Sequence, residues 1–299
     1  MDAQRRQEPQ RRTERQRARL LQPSQPRING ELSADRIATL APAVFATTRK
    51  ETLSPRYGQL HTDSLLPVMR DHGFVPVQAA QKRSRKASPE HSQHMIAFSQ
   101  VDGLMGDGGI RPEIILYNSH DGSGSIKLFA GAFRFICSNG IVAGDGFQSR
   151  LYHSINNIAA FEGMLTSTIE RLPALMERIE QMQAIKLDRI GAVALAAQAV
   201  ESRWSYVPQE GVRKGSYADR NTVEDLLKVN RFDDYAPDAW TVFNRIQENV
   251  IRGGAIIKSF TEKRPEGQYR KSRPVSSVAE NVRINRELWD IATNVCQLA

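Results

Sequence analysis

The sequence predicts an α+β protein in which an antiparallel β-meander precedes a long amphipathic helix, a β-β-β-α-like core with a helical C-terminal part. Between residues 74 and 142, apolar runs with period-two alternation are separated by turns rich in Gly, Ser and Asn. From Ile155 to Ile185 the apolar residues instead recur every three or four positions, which is the helical period. We therefore divide the chain into a flexible basic arm (1–26), an α+β core (27–205) and a helical C-terminal region packed on the core (206–299).

The first elements after the arm are a short helix and three strands. The segment 62–73 carries an apolar stripe between a polar N-terminus and Gly73, which predicts a helix. Strands are predicted for FVPVQAAQ (74–81), HMIAFSQV (94–101) and EIILYN (113–118). The segment KRSRKASPEHSQ (82–93) between the first two strands is predicted to be a basic loop.

A hairpin turn is predicted at NSHDGSGS (118–125), between EIILYN and the strand SIKLFAG (125–131). An Asp can bond the backbone two residues on, and a Gly supplies positive φ, so Asp-Gly followed by Ser-Gly-Ser is typical of a turn. The run 132–145 continues the meander, with Phe133, Phe135 and Cys137 on one face and a turn at Asn139-Gly140.

Helices are predicted to dominate the rest of the chain. The helix over 155–185 should kink at Pro173, which lacks an amide donor. Further helices are predicted at 192–204, 221–229, 238–253 and 279–298, with loops at 206–222 and 262–277, the second of them exposed and basic.

Composition narrows the functional classes. The chain has 299 residues, of which 40% are hydrophobic and 25% charged, as in ordinary globular proteins. Its only two cysteines, Cys137 and Cys296, exclude a disulfide framework or a four-cysteine zinc site. No apolar run approaches the roughly 20 residues of a membrane span, and the N-terminus has no signal-peptide core. We expect a cytoplasmic protein without a membrane partner.

Catalytic patterns are weak in this sequence. His120 and Asp121 are adjacent, so on a strand they would point to opposite faces, and His91 and His94 lack a carboxylate or cysteine partner. The GDGG stretch (106–109) lacks the lysine of a phosphate-binding loop. We therefore expect a non-enzymatic protein with no catalytic residues, no metal and no cofactor.

Basic clusters are the stronger signal, because the net charge is +8 and a basic balance favours polyanionic partners. The residues that we predict to contact DNA phosphates lie on the first basic loop, on the hairpin and just after it: Lys82, Arg83, Arg85, Lys86, Lys127, Arg134 and Arg150. A second cluster comprises Lys263, Arg264, Arg270, Lys271 and Arg273. Phe129, Phe133 and Phe135 would either stack on bases or fill the core. The arginine-rich arm would add phosphate contacts or serve as a solubilising tail.

Long blocks of the chain resemble a plasmid- and phage-borne family that carries the description of a domain of unknown function. The resemblance runs from about Pro42 to the C-terminus and is carried by EIILYNSHDGSGSIKLFAGAFRFICSNGIVAGD (113–145), WTVFNRIQENVIRGG (240–254) and VRINRELWDIAT (282–293). It implies a mobile-element setting and brings no catalytic residues. The predicted order of strands and helix is also similar to the core of ring-forming single-strand annealing proteins, the Rad-fifty-two-like superfamily, which implies a basic groove for single-stranded DNA.

The expectation that follows is a single-stranded-DNA-binding and annealing protein of a plasmid or phage, assembled as a homo-oligomeric ring or filament and acting in recombination or plasmid establishment. Two alternatives stay open. One is a metal-dependent nuclease that uses His120 and Asp121. The other is an anti-defence module that binds a host protein.

Overall fold

A six-stranded antiparallel sheet is the centre of the fold in the computed structural model, which describes residues 30–46, 60–82, 89–101, 110–134, 140–142, 148–153, 158–204, 215–230 and 234–298. The strand order is β1-β2-β3-β4-β5, and β6 also pairs with β4. The strands are β1 (Phe74–Gln81), β2 (His94–Gln100), β3 (Ile110–Asn118), β4 (Ile126–Arg134), β5 (Gly140–Val142) and β6 (Gln148–Leu151). The predicted α+β class and antiparallel meander are confirmed.

Eight α-helices lie within the described residues. They are α1 (Ala34–Leu40), α2 (Leu65–Asp71), α3 (Ile158–Ile169), α4 (Leu172–Ala184), α5 (Arg189–Trp204), α6 (Arg220–Leu226), α7 (Ala239–Arg252) and α8 (Val278–Leu298). None of the helices in these ranges is long and apolar enough to cross a membrane.

The single long helix predicted over 155–185 is wrong, because the structure breaks it into α3 and α4. Pro173 lies in the first turn of α4, where a missing amide donor breaks no intrahelical hydrogen bond. The proline therefore starts a new helix instead of kinking an existing one. Both helices bury an apolar stripe, which includes Phe161 and Leu165 in α3 and Leu175 and Ile179 in α4.

The C-terminal part also holds a three-stranded sheet that the sequence analysis missed. Its strands are β7 (Gly215–Tyr217), β8 (Ile256–Thr261) and β9 (Arg264–Lys271), in the order β7-β8-β9. The predicted exposed basic loop at 262–277 is therefore wrong over β9, although its exposure is confirmed. An edge strand with charged side chains on both faces lacks the apolar alternation by which strands are recognised.

The main sheet is covered on its two faces to different extents. One face joins the large core with α2, α3, α4 and the C-terminal helices, through residues such as Ile114 and Leu128. The other face carries a small cluster around Ile115 and Phe129, covered by Val282 of α8. Phe129 is thus a core residue and not a stacking surface for bases.

Candidate nucleic-acid interface

Cations and tyrosine rings gather at one end of the main sheet, on the face opposite the large core. Tyr117 at the end of β3 is the cross-strand partner of Lys127 on β4, and Lys127 is the partner of Arg150 on β6. Residues directly opposite in antiparallel strands share a face of the sheet. We call Tyr117, Lys127, Arg150, Tyr152 and Arg286 the basic platform.

Each strand-borne cation of the basic platform lies over an aromatic ring. Lys127 Nζ is 5.8 Å from the centroid of the Tyr117 ring. The Arg150 guanidinium carbon is 5.7 Å from the Tyr152 ring, and Arg150 also donates a hydrogen bond to Tyr152 Oη at 3.4 Å. The Tyr152 side chain is 61% exposed, so one face of the pair is open to a ligand. Tyr117 is buried, so the exposed Tyr152 ring is the one suited to stack on a base while the neighbouring cations contact phosphates.

Electrostatics show that the three cations of the platform lie close to one another. The pKa of Lys127 is lowered by burial first, then by the positive charges of Arg150 and Arg286. Within the described part of the chain, neither Lys127 nor Arg150 forms an ion pair with a carboxylate. Cations that lie close enough to repel one another create a positive potential that attracts a polyanion.

Lys82 lies at the same end of the sheet as the platform. It follows the last residue of β1, is exposed, and donates its backbone amide to the Gln93 carbonyl at 2.7 Å. Side chains alternate along a strand, so its position two residues after Ala80 puts it on the face that carries Tyr117. Three strand spacings of about 4.8 Å separate β1, which leads to Lys82, from β4, which carries Lys127. Lys82 therefore extends the positively charged surface across the strands of the sheet.

The remaining predicted phosphate contacts do not join the platform in the described structure. Arg134 ends β4 opposite Ile110, seven residues from Lys127 along the strand, which corresponds to about 23 Å at about 3.3 Å per residue. It therefore lies at the other end of the sheet. Arg83, Arg85 and Lys86 lie outside the described residues, as do Phe135 and the N-terminal arm.

A cluster of buried histidines occupies the same end of the sheet, among strand-end residues that face the large core. His120 packs edge-on against His94, with ring centroids 4.9 Å apart, and against His61 at 5.5 Å. The Thr62 hydroxyl lies 2.7 Å from His94 Nε2 and 3.5 Å from His120 Nε2. Asn118 completes this histidine cluster by donating its side-chain amide to Thr62 Oγ1 at 3.0 Å.

His94 and His120 are neutral at physiological pH. Burial lowers the pKa of His94 to about 4, and burial together with the charges of the neighbouring histidines lowers the pKa of His120 to about 2. His94 Nδ1 lies 2.9 Å from the Ser92 carbonyl, which fixes its proton there and leaves Nε2 to accept from Thr62. The cluster therefore ties the 60–62 segment to the ends of β2 and β3.

The turn predicted at NSHDGSGS is confirmed, although His120 does not project from it. Asp121 Oδ1 accepts a hydrogen bond from the Ser123 amide at 2.9 Å, and Gly122 has φ of 80°. His120 has no exposed surface, so a substrate cannot reach it in this conformation. The described ranges contain no group of three or more His, Cys, Asp or Glu side chains that could hold a metal ion. The arrangement gives the nuclease alternative no support.

Three members of the platform, Tyr117, Tyr152 and Arg286, escaped the sequence analysis. Arg286 lies on α8, four residues after Val282, and a helix presents residues four apart on the same side. Its approach to Lys127 depends on how α8 docks, which no local pattern reveals. Tyr152 directly follows β6 and lies two residues after Arg150. Residues at this spacing in a strand share a face, so the pairing of this tyrosine with Arg150 could have been predicted from the sequence.

Comparisons with known proteins place the chain in a family. Residues 50–289 match the family described as "Domain of unknown function (DUF932)". The chain is 30% identical over 263 residues to the UPF0380 protein YafZ of Escherichia coli K12, an alignment that covers 87% of this chain and 90% of that protein. It is 32% identical over 267 residues, with the same coverage, to the UPF0380 protein YfjQ of the same strain. No solved structure matches. The chain belongs to the DUF932 family.

Proposed function

We propose that this protein binds single-stranded DNA through the basic platform and promotes annealing of complementary strands for a mobile genetic element. The observation that carries the proposal is the convergence of Lys127, Arg150 and Arg286 beside the exposed Tyr152 ring. Cations neutralise phosphates, and exposed rings stack on unpaired bases whatever the sequence. A duplex hides the faces of its bases, so the exposed Tyr152 ring favours a single strand.

Annealing and self-assembly are part of the proposal. A meander of antiparallel strands followed by α3 and α4 is the order expected from the resemblance to ring-forming annealing proteins. In such an assembly the platforms of successive subunits would line one groove, which holds the backbone and leaves bases free to pair. The plasmid or phage setting rests on the same family resemblance.

The test of binding is fluorescence anisotropy with a labelled oligothymidylate of about 30 nucleotides, measured across a salt series. The double variant Lys127→Ala/Arg150→Ala should bind at least about tenfold more weakly, and its log–log salt slope should fall by about 1.4, since each single-strand phosphate contact contributes about 0.7. The matched control is Arg36→Ala/Lys186→Ala, which removes two exposed cations far from the platform in sequence.

Clear outcomes contradict the proposal. Absence of a complex with wild-type protein at low salt would exclude single-stranded DNA as the ligand. Equal losses in the two double variants would show that binding follows total charge and not the platform.

Annealing is measured by energy transfer between complementary labelled strands, and assembly by mass photometry with and without DNA. Wild-type protein should accelerate annealing and form closed or filamentous oligomers.

A further inference from the structure

The small sheet of the C-terminal region exposes a second surface that combines aromatic rings with cations. Tyr217 on β7 is the cross-strand partner of Lys258 on β8, which in turn is the partner of Tyr269 on β9. Phe260 and Lys271 lie on the same face, because Phe260 is two residues from Lys258 and Lys271 is two residues from Tyr269. We call these five residues the aromatic sheet face.

The opposite side of the small sheet is anchored in the protein, which keeps the aromatic sheet face turned outward. Ile257 is buried in the large core, whereas its neighbour Ile256 is exposed. The Thr222 hydroxyl donates to the Ile256 carbonyl at 2.5 Å, and Asp225 accepts from the Ile256 amide at 2.7 Å. These bonds fix β8 to α6 and leave the outer face without a covering element in the described structure.

The two tyrosine rings of this face are open to solvent although they are large. Tyr269 is 57% exposed and Tyr217 is 42% exposed. Each aromatic side chain could bury well over 100 Å² of apolar surface, so leaving neighbouring rings exposed on a sheet forgoes stabilising free energy. Such an exposed apolar patch is typical of a ligand-binding surface. The negative charge of the nearby Asp219 carboxylate raises the pKa of the Tyr269 hydroxyl.

A lysine lies between the rings, and a glycine lets it approach the sheet. Lys258 Nζ is 5.4 Å from the Phe260 ring and 5.9 Å from the Tyr269 ring. Gly267 has φ of 79°, and a Cβ atom there would lie 2.7 Å from Phe260 Cε1 and 2.8 Å from Lys258 Cε. A side chain at Gly267 would therefore displace the phenylalanine and the lysine together.

The segment that forms β8 and β9 is strongly positive. Between residues 256 and 273 the chain has six basic residues and two acidic ones, so this segment alone carries half of the net charge of +8. Lys263, Arg264 and Arg270 are exposed beside the face. A polyanion is the ligand that such a potential attracts, and the rings select one with unpaired bases.

We infer that the aromatic sheet face is a second binding site for single-stranded nucleic acid, separate from the basic platform. Bases stack on Tyr217 and Tyr269, and Lys258 and Lys271 contact the backbone between them. The inference rests on the proposed function and extends it, because a strand held at two surfaces is bound more tightly than at either one. DNA and RNA share the chemistry of stacked bases and phosphates, so both are used as probes.

The test compares the leucine variant Tyr217→Leu/Tyr269→Leu with the ring-preserving control Tyr217→Phe/Tyr269→Phe. Both pairs keep apolar surface on the exposed strands, and thermal unfolding checks that both fold. With labelled oligothymidylate or oligouridylate of about 30 nucleotides, the leucine variant should lose about tenfold in affinity for each ring removed, and the phenylalanine control should stay within about twofold. The salt slope should not change, since stacking releases no counterions.

The outcomes separate this inference from the proposed function. If the leucine variant binds like wild type whereas Lys127→Ala/Arg150→Ala loses affinity, the second site is refuted and the proposed function stands. If wild-type protein binds neither probe, both fail. A loss of duplex binding by the same factor as single-strand binding would also refute stacking. A larger effect with one of the two probes supports the inference and identifies the natural strand.

Crosslinking provides a measurement that needs no variant. Wild-type protein is irradiated with an oligonucleotide containing 4-thiothymidine, and the crosslinked peptides are identified by mass spectrometry. Crosslinks should include peptides that contain Tyr217 or Tyr269. Crosslinks that include peptides of the basic platform but none from residues 215–217 and 256–271 would overturn the second site and leave the basic platform as the whole of the interface.

Discussion

Acidification should destabilise the fold through the histidine cluster. His94 and His120 have pKa values of about 4 and about 2 in the folded protein, both below the ordinary value of 6.5. In the unfolded chain they take up protons near pH 6.5, whereas in the folded chain they do not. The stability that depends on their neutral form is therefore complete above pH 6.5 and is lost as the pH falls towards the folded pKa values.

The loss of stability at pH 5 is set by protonation of the unfolded chain, because both folded pKa values lie below pH 5 and the two histidines stay neutral in the folded protein. At pH 5 an unfolded-state histidine is about 1.5 pH units below its pKa, and each unit is worth about 1.4 kcal/mol, so each buried histidine costs about 2 kcal/mol. The pair together should lower the free energy of unfolding by about 4 kcal/mol, a large part of the 5–15 kcal/mol of a typical domain. The lowered pKa of His153 acts in the same direction.

The assay is urea denaturation at about pH 7.5 and about pH 5, with wild-type protein and the single variants His94→Gln and His120→Gln. Each variant is less stable at neutral pH, but the further loss on acidification should shrink by about 2 kcal/mol. The exposed His72 provides the control, since His72→Gln should leave the acid loss unchanged. If all variants lose as much stability as wild type between the two pH values, the buried histidines are not the acid-sensitive groups.

Two further predictions concern stability. Arg111 and Glu113 form a fully buried ion pair at 3.1 Å, so Arg111→Met should lower the free energy of unfolding by about 3–5 kcal/mol. Arg70→Met, which breaks the exposed pair with Glu31, should lower it by less than about 1 kcal/mol. Similar losses for the two variants in urea denaturation would refute this reasoning. Gly253→Ala should lower the melting temperature far more than Gly254→Ala. Both glycines have positive φ, but of the two only Gly253 would place a Cβ atom 2.6 Å from neighbouring backbone. Equal shifts of the melting temperature in calorimetry would show that the positive φ alone determines the loss of stability.

Local patterns were sufficient for the meander and its turn. The nearly continuous apolar runs in β2 and β3 are typical of strands that are buried on both faces. Asp121 and Gly122 meet the conformational demands of the turn by themselves. What the sequence could not reveal was the environment of His120. Its partner Thr62 is 58 residues away, so the same Asp-Gly turn could have held an exposed histidine.

The sequence predicted members of the candidate interface only where they lie on the strands of the main sheet. Lys127 and Arg150 were selected as isolated basic residues, and strand pairing made them neighbours. Arg134 was selected for the same reason but lies at the far end of β4, because charge says nothing about position along a strand. Tyr269 was hidden inside a segment interpreted as a basic loop, since an exposed edge strand needs no apolar alternation.

Lys127 offers a test that joins the electrostatics of the platform to its proposed ligand. Burial and the charges of Arg150 and Arg286 lower the pKa of Lys127, so this lysine loses its proton at a lower pH than an ordinary lysine does. Binding of single-stranded DNA should therefore weaken as the pH rises into the alkaline range. An arginine stays charged throughout that range.

The variant Lys127→Arg should bind at neutral pH within a few-fold of wild type and should keep its affinity as the pH rises. The control Lys186→Arg changes an exposed lysine elsewhere and should follow the wild-type profile. The measurement is oligothymidylate anisotropy at constant ionic strength across the alkaline range. Identical profiles for wild type and Lys127→Arg would mean that Lys127 does not touch the strand, because a phosphate contact weakens when the cation that makes it is neutralised.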